Sequence, residues 1–187
     1  MQPAVWPLRR AVEALRSGGV IAYPSEAVYG LGCDPLEHAA VQRIFALKQR
    51  DADKGLILIA SDISQLLPFM APISAAVMKT LEASWPGPVT WVVPAAAALP
   101  FWLSGGRDTL AVRVTAHPIA AALCQAAGMA LVSTSANKSG QPPARTALAV
   151  RAQFGAGVDC ILPGAVGGLS KPTEIREALT GKVLRAG

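Results

Sequence analysis

The chain has 187 residues, 52% hydrophobic and 16% charged, with 17 Lys and Arg against 12 Asp and Glu for a formal net charge of +5. That length supports one domain with a real core, and the hydrophobic content excludes a disordered tail. No apolar run reaches the roughly 18 residues that a membrane-spanning helix needs, so no membrane partner is expected.

The positive excess suits anionic partners such as nucleotides or RNA, but the cations are scattered and no block of like charge appears. Cys33, Cys124 and Cys160 are odd in number, widely spaced and form no C-x-x-C, which fits three free thiols in a reducing cytoplasm. His38 and His117 are far apart, so no zinc site is expected.

In chain order, Val5, Leu8, Val12 and Leu15 recur at helical spacing before "SGG" at 17–19, which reads as a first helix and not a signal peptide. "VIAYP" (20–24) reads as a buried strand. "GLGCDP" (30–35) reads as a tight strand-to-helix connection whose glycines take unusual backbone angles. A helix follows over 37–48, then the strand "GLILIA" (55–60) and a helix over 73–84 that stops at "WPGP". "VTWVVP" (89–94) and "TLAVRV" (109–114) are strand-like, separated by the loop-like "PAAAALPFWLSGG" (94–106). A helix over 117–128 has Pro118 in its first turn and Gly128 past its end. The strand "ALVST" (130–134), a helix over 146–155 and short strands in "VDCILP" and "KVLRA" complete the pattern. "GAVGGLSKP" (164–172) reads as the most flexible late stretch and a candidate mobile lid. This alternation, with strands apolar on consecutive positions, predicts an α/β fold whose sheet is covered on both faces.

Four stretches carry candidate chemistry. The chain has no G-x-x-x-x-G-K-[ST], and "GLGCDP" supplies only two of the three glycines of a dinucleotide fingerprint. "LKQR" (47–50) places Lys48 and Arg50 at a helix end. They form either a C-terminal cap favoured by the helix dipole or, if Gln49–Arg50 is extended, two cations turned toward one pocket. Arg113 lies inside an apolar strand, where a charge needs a structural carboxylate, an exit to solvent or a bound anion. "LVSTSANKSG" (131–140) contains S-x-x-K, the signature of a serine hydrolase of the penicillin-binding kind. However, "SGQPP" would abort the helix that such a site requires, and no K-T-G follows. The other reading is a strand-to-loop corner whose hydroxyls and amide hold phosphate or carboxylate oxygens.

Taken together, "YPSEAVYGLGCDP", "IFALKQRDADKGLILI", "WPGPVT", "LAVRVTAHPIAAAL" and "LVSTSANKSGQPPART" resemble the YrdC family in sequence and order. The resemblance runs from about residue 8 to the C-terminus and is nearest to the family's short bacterial form. It implies a single domain over 1–187: a twisted mixed sheet with helices packed around it and a basic concave cavity. It also implies L-threonylcarbamoyladenylate synthase activity, a nucleotidyl transfer in which ATP, L-threonine and bicarbonate give threonylcarbamoyl-AMP and pyrophosphate. Downstream proteins would pass the threonylcarbamoyl group to adenosine 37 of tRNAs reading codons that begin with A.

The family's lysine–x–arginine pair falls on Lys48 and Arg50, and its S-x-N on Ser135 and Asn137. These four are the expected catalytic residues; Lys48, Ser135 and Asn137 are aimed at the triphosphate, and Arg50 suits either end of the site. Thr109, Ser133 and Arg113 are the expected threonine and carbamate contacts, and Thr173 and Arg185 match a late Ser/Thr and arginine that close over the site. Mg²⁺ is expected with ATP, on phosphates and water and not on a protein cage.

Two departures stand out. Many members carry a second hydroxyl where this chain has Ala27, and the late S-T-I-V-D becomes "PTEIRE" (172–177). The competing class is a non-catalytic module that binds RNA directly in tRNA or ribosome maturation, which the 5% aromatic content disfavours.

Overall fold

The structure is a computed structural model and describes residues 5–187; the first four residues of the expected 1–187 domain lie outside the described ones. Among the described residues six α-helices run Val5–Arg16 (α1), His38–Lys48 (α2), Ala75–Glu82 (α3), Phe101–Ser104 (α4), Pro118–Ala127 (α5) and Ala147–Phe154 (α6). Nine strands run Ile21–Pro24 (β1), Tyr29–Gly32 (β2), Ile57–Ala60 (β3), Val89–Pro94 (β4), Thr109–Val114 (β5), Leu131–Ser135 (β6), Cys160–Ile161 (β7), Glu174–Glu177 (β8) and Val183–Arg185 (β9). All nine join one sheet in the order β7-β1-β2-β6-β3-β5-β4-β8-β9. The sheet is mixed: β1/β7, β3/β5 and β4/β8 are parallel, and the other neighbours antiparallel.

Local chemistry starts and stops the longer helices. The side chains of Glu37, Ser74, His117 and Thr146 each accept a hydrogen bond from a backbone N–H in the first turn of α2, α3, α5 and α6. Gly128 ends α5 at φ +75°, a left-handed turn that suits glycine. Period-2 alternation then divides each strand between two cores. Ile59 of β3 joins Ile21, Tyr23 and Leu131 under α1 and α5, while its neighbours Leu58 and Ala60 join Val112 and Val132 against α2 and α3. A third core lies under α6, around Tyr29, Leu31, Val150 and Phe154. Both faces of the sheet are therefore covered, as the unbroken apolar runs require.

Three readings change. β2 occupies the stretch read as a strand-to-helix connection, and Gly30 and Gly32 do not have positive φ. Their role is close approach: a Cβ on Gly32 would lie 2.5 Å from Val132 O and 2.8 Å from the Tyr23 ring, and one on Gly30 3.2 Å from that ring. β8 forms from the polar "EIRE", which has no apolar pattern and becomes a strand by pairing with β4. The 164–172 segment is tied down at its start. Gly164 N donates to Tyr29 Oη at 3.1 Å, Gly167 N to Ser25 O at 2.9 Å and Leu169 N to Glu26 O at 3.3 Å, so it is a strap across 25–29 and not a free lid.

Candidate active site

The first component is the end of α2. Gln49 is left-handed at φ 52°, not extended as the one-pocket alternative required, and its N–H bonds back to Ala46 O while that of Arg50 bonds back to Phe45 O. This reversal points Lys48 and Arg50 in different directions. Lys48 turns inward, 4% exposed, and its Nζ donates to Ser135 O, to Asn137 O at 2.9 Å and to Asn137 Oδ1 at 3.4 Å. Its own carbonyl accepts Ser139 N–H at 2.8 Å, which clasps the corner from both ends. Ser135 Oγ donates to Asn137 Oδ1 at 2.6 Å, and Asn137 Nδ2 donates to Gln141 O at 2.9 Å. Burial, and secondarily the charge of Arg50, lowers the Lys48 pKa to about 8. Ser135 ends a strand instead of opening a helix, which removes the geometry that the S-x-x-K hydrolase reading needs.

The second component is Arg113, 4% exposed in the middle of the sheet. Its Nη1 donates to Thr90 Oγ1 at 3.0 Å and Thr173 Oγ1 at 2.9 Å, and its Nη2 donates to Glu26 Oε2 at 3.2 Å. The other Glu26 oxygen accepts from Thr115 Oγ1 at 2.6 Å, and Thr115 in turn accepts from His117 N at 3.1 Å. His117 Nε2 donates to Ala165 O at 3.1 Å, which connects this network to the strap. The Arg113 Nε has neither a partner nor solvent. From β9, Arg185 Nη2 and Nε both donate to Thr173 O, at 2.6 and 3.2 Å. Burial and the neighbouring Arg113 lower the pKa of Arg185.

Between the two components lies a cavity of about 440 Å³. Arg50, Arg113, Ser133, Ser135, Thr109, Thr173 and Arg185 all line it, and so does Ala27. Lys48 and Asn137 do not reach its surface and stand directly behind Ser135. Among the described residues no carboxylate lines the cavity, whereas Arg50, Lys54, Arg107, Arg113 and Arg185 do. Such a site concentrates anions, and the hydroxyls around it supply further donors to oxygen.

Sequence reasoning did not pick out Glu26, Thr90 and Thr115, nor the cavity cations Lys54 and Arg107. Glu26 had a signal: a buried Arg in a strand requires a carboxylate, and "YPSEAVYG" contains the acid that meets it. Which acid it would be depends on the β1–β2 turn reaching β5, and nothing local encodes that.

A family model for Sua5, YciO and YrdC proteins, described as telomere recombination, matches residues 13–187. The chain belongs to the Sua5/YciO/YrdC family. It is 57% identical over 178 residues to a threonylcarbamoyl-AMP synthase of Halorhodospira halophila, covering 95% of this chain and 93% of that one. To the Escherichia coli O1:K1 threonylcarbamoyl-AMP synthase it is 55% identical over 179 residues, covering 95% and 94%. Among solved structures, P. abyssi Sua5 complexed with L-threonine superposes with a TM-score of 0.86 at 35% identity; the match covers 92% of this chain and 51% of that one, so this chain spans about half of that protein's length.

Proposed function

We propose that the chain is an L-threonylcarbamoyladenylate synthase, making threonylcarbamoyl-AMP and pyrophosphate from ATP, L-threonine and bicarbonate. The observation that carries this reading is a carboxylate-free cavity with two unlike cationic ends, in a chain matched over nearly its whole length by threonylcarbamoyl-AMP synthases. At one end Arg113 and Arg185 outweigh Glu26 by one charge, which suits a single carboxylate. At the other, Arg50 and the Ser135–Asn137 corner suit a polyanion. The L-threonine complex of a relative supports threonine as one of the substrates.

In this reading the threonine carboxylate lies toward Arg113, with Thr109, Ser133 and Thr173 around it. The amine adds to CO₂ with loss of a proton, or to bicarbonate with loss of water, to give a carbamate, and a carbamate oxygen attacks the α-phosphorus. The bond from the α-phosphorus to the bridging oxygen of the β-phosphate breaks, and pyrophosphate leaves with both electrons. The overall reaction is a nucleotidyl transfer. Donors aimed at the departing charge lower the barrier, and holding carbamate beside phosphate supplies much of the rest. Lys48 serves this by fixing the Ser135–Asn137 corner from behind. Among the described residues no group of three or more His, Cys, Asp or Glu could hold a metal. The donors that face the cavity are hydroxyls, amides and cations, so Mg²⁺ fits here as an ion carried on the phosphates and water, neutralising their charge.

The described residues work as one domain in this proposal, since a single sheet joins the strands that bear Thr109, Arg113, Ser133, Ser135 and Arg185. The product would go to threonylcarbamoyl-transfer proteins acting on tRNA. The free thiols, two of them buried, suit a reducing cytoplasm. The test is pyrophosphate release from ATP with threonine and bicarbonate omitted in turn. Release that requires both supports the reading; folded protein that binds RNA but releases nothing would replace it with the RNA-binding module.

A further inference from the structure

Arg107 shares the cavity with Arg50. Its position is fixed by two interlocked loops. Gly105, at φ +64°, packs so closely on Asp53 O that a Cβ there would collide with it, and Leu56 N donates to Leu103 O at 2.9 Å. Gly55, at φ +61°, then sits between two guanidinium groups. Arg50 Nη2 donates to Gly55 O at 3.1 Å, and Arg107 Nη2 occupies the space that a side chain at Gly55 would take, 2.5 Å from where its Cβ would lie. Arg107 Nη1 donates to Asp53 O at 2.8 Å.

Two cations held on one glycine repel each other. Among the described residues no carboxylate lies within 4 Å of either guanidinium: Asp51 pairs with Lys54 at 3.4 Å, Asp53 meets Arg107 only through its carbonyl, and both acids attract Arg50 only from farther away. The buried Nε of Arg50 has no partner at all. Repulsion of this kind is relieved by an anion placed between the two groups. The Arg113 end, with its net single charge, accounts for a monoanion, so the remaining cations match the more heavily charged part of the substrate.

We propose that Arg107 is a further substrate-binding residue, which with Arg50 clamps the β- and γ-phosphates of the nucleoside triphosphate and holds pyrophosphate until release. This rests on the synthase reading. Each charge-assisted hydrogen bond to phosphate contributes roughly 1.5–3 kcal/mol, so losing one weakens binding about tenfold or more.

The experiment is steady-state kinetics of Arg107→Ala and Arg107→Gln with ATP varied, together with inhibition by pyrophosphate and by AMP. The expected result is a rise of about tenfold in both the ATP KM and the pyrophosphate inhibition constant. Threonine KM and inhibition by AMP, which lacks the distal phosphates, stay within about twofold. Arg107→Gln retains a donor for Asp53 O, so agreement between the two variants separates lost charge from a loosened 51–55 loop. Unchanged ATP and pyrophosphate constants, or equal weakening of AMP and pyrophosphate, would overturn the clamp. A wild-type protein that releases no pyrophosphate from ATP would instead overturn the synthase reading.

Discussion

Among the described residues two side-chain cations, Arg113 and Lys48, lie buried, and they are compensated in opposite ways. Arg113 has a carboxylate, Glu26, and two threonine hydroxyls; Lys48 has only backbone carbonyls and an amide oxygen. The difference follows from their acid–base chemistry. A guanidinium cannot shed its proton, so burying it without an anion is prohibitive. An ammonium can, and burial with no carboxylate lowers the Lys48 pKa to about 8. The strand-built end of the cavity is thus a fixed ion pair, and the loop-built corner is a strut whose charge depends on pH.

Breaking the fixed pair has the largest expected effect. Glu26→Ala leaves Arg113 buried and uncompensated, which costs about 3–5 kcal/mol of stability in urea unfolding. The double variant Glu26→Ala/Arg113→Met recovers most of that loss, and a loss below about 1 kcal/mol in the single variant would show that Glu26 is not the compensating charge.

Breaking the strut acts on activity instead. Arg50→Ala removes a donor to developing charge and Lys48→Ala lets the Ser135–Asn137 donors drift from it; each reduces pyrophosphate release by about 10²–10³-fold, the scale for losing one such donor, while circular dichroism stays native. Near-wild-type turnover in either variant would sink the corner assignment.

The strut also sets a pH signature with two opposite signs. Lys48 titrates near 8 when folded and near 10.5 when unfolded. Between these values the unfolded chain binds more protons, so the Lys48 contribution to stability rises with pH. If the charged strut orders the corner, turnover falls over the same interval, and Lys48→Arg moves that fall to higher pH. Parallel changes in turnover and stability across pH 8–10 in wild type would contradict it.

Smaller effects sharpen the contrast. Gly32→Ala forces a methyl against Val132 O and the Tyr23 ring and costs about 1–3 kcal/mol, readable as a lower melting temperature with an unchanged ATP KM. Arg43→Ala removes an ion pair with Asp159 of similar length, 2.9 Å, but with both side chains about 40% exposed. It costs about 0–1 kcal/mol, because solvent already screens that pair.

Most of the architecture was legible because it depends on short-range patterns. Apolar spacing of three and four marked α1 and α2, Pro118 and Gly128 marked the bounds of α5, and the apolar run of β3 marked it as covered on both faces. β2 and β8 were not legible. "YGLG" owes its strand to the Tyr23 ring and β6 approaching too closely for side chains, and "EIRE" owes its strand to β4. In the same way, three glycines in 164–172 suggested mobility, while Tyr29 Oη and two carbonyls from 25–26 hold the start of that segment in place.

The sequence by itself determined most of the elements, the family resemblance and many of the residue types around the cavity, since these depend on neighbours a few positions apart. Only the tertiary structure decided that Lys48 turns away from the cavity while Arg50 and Arg107 share it, and that Glu26 neutralises Arg113 across 87 positions of chain. The reason is physical: hydrophobic periodicity is local, but a buried charge is balanced by whichever group the packed sheet brings within about 3 Å of it.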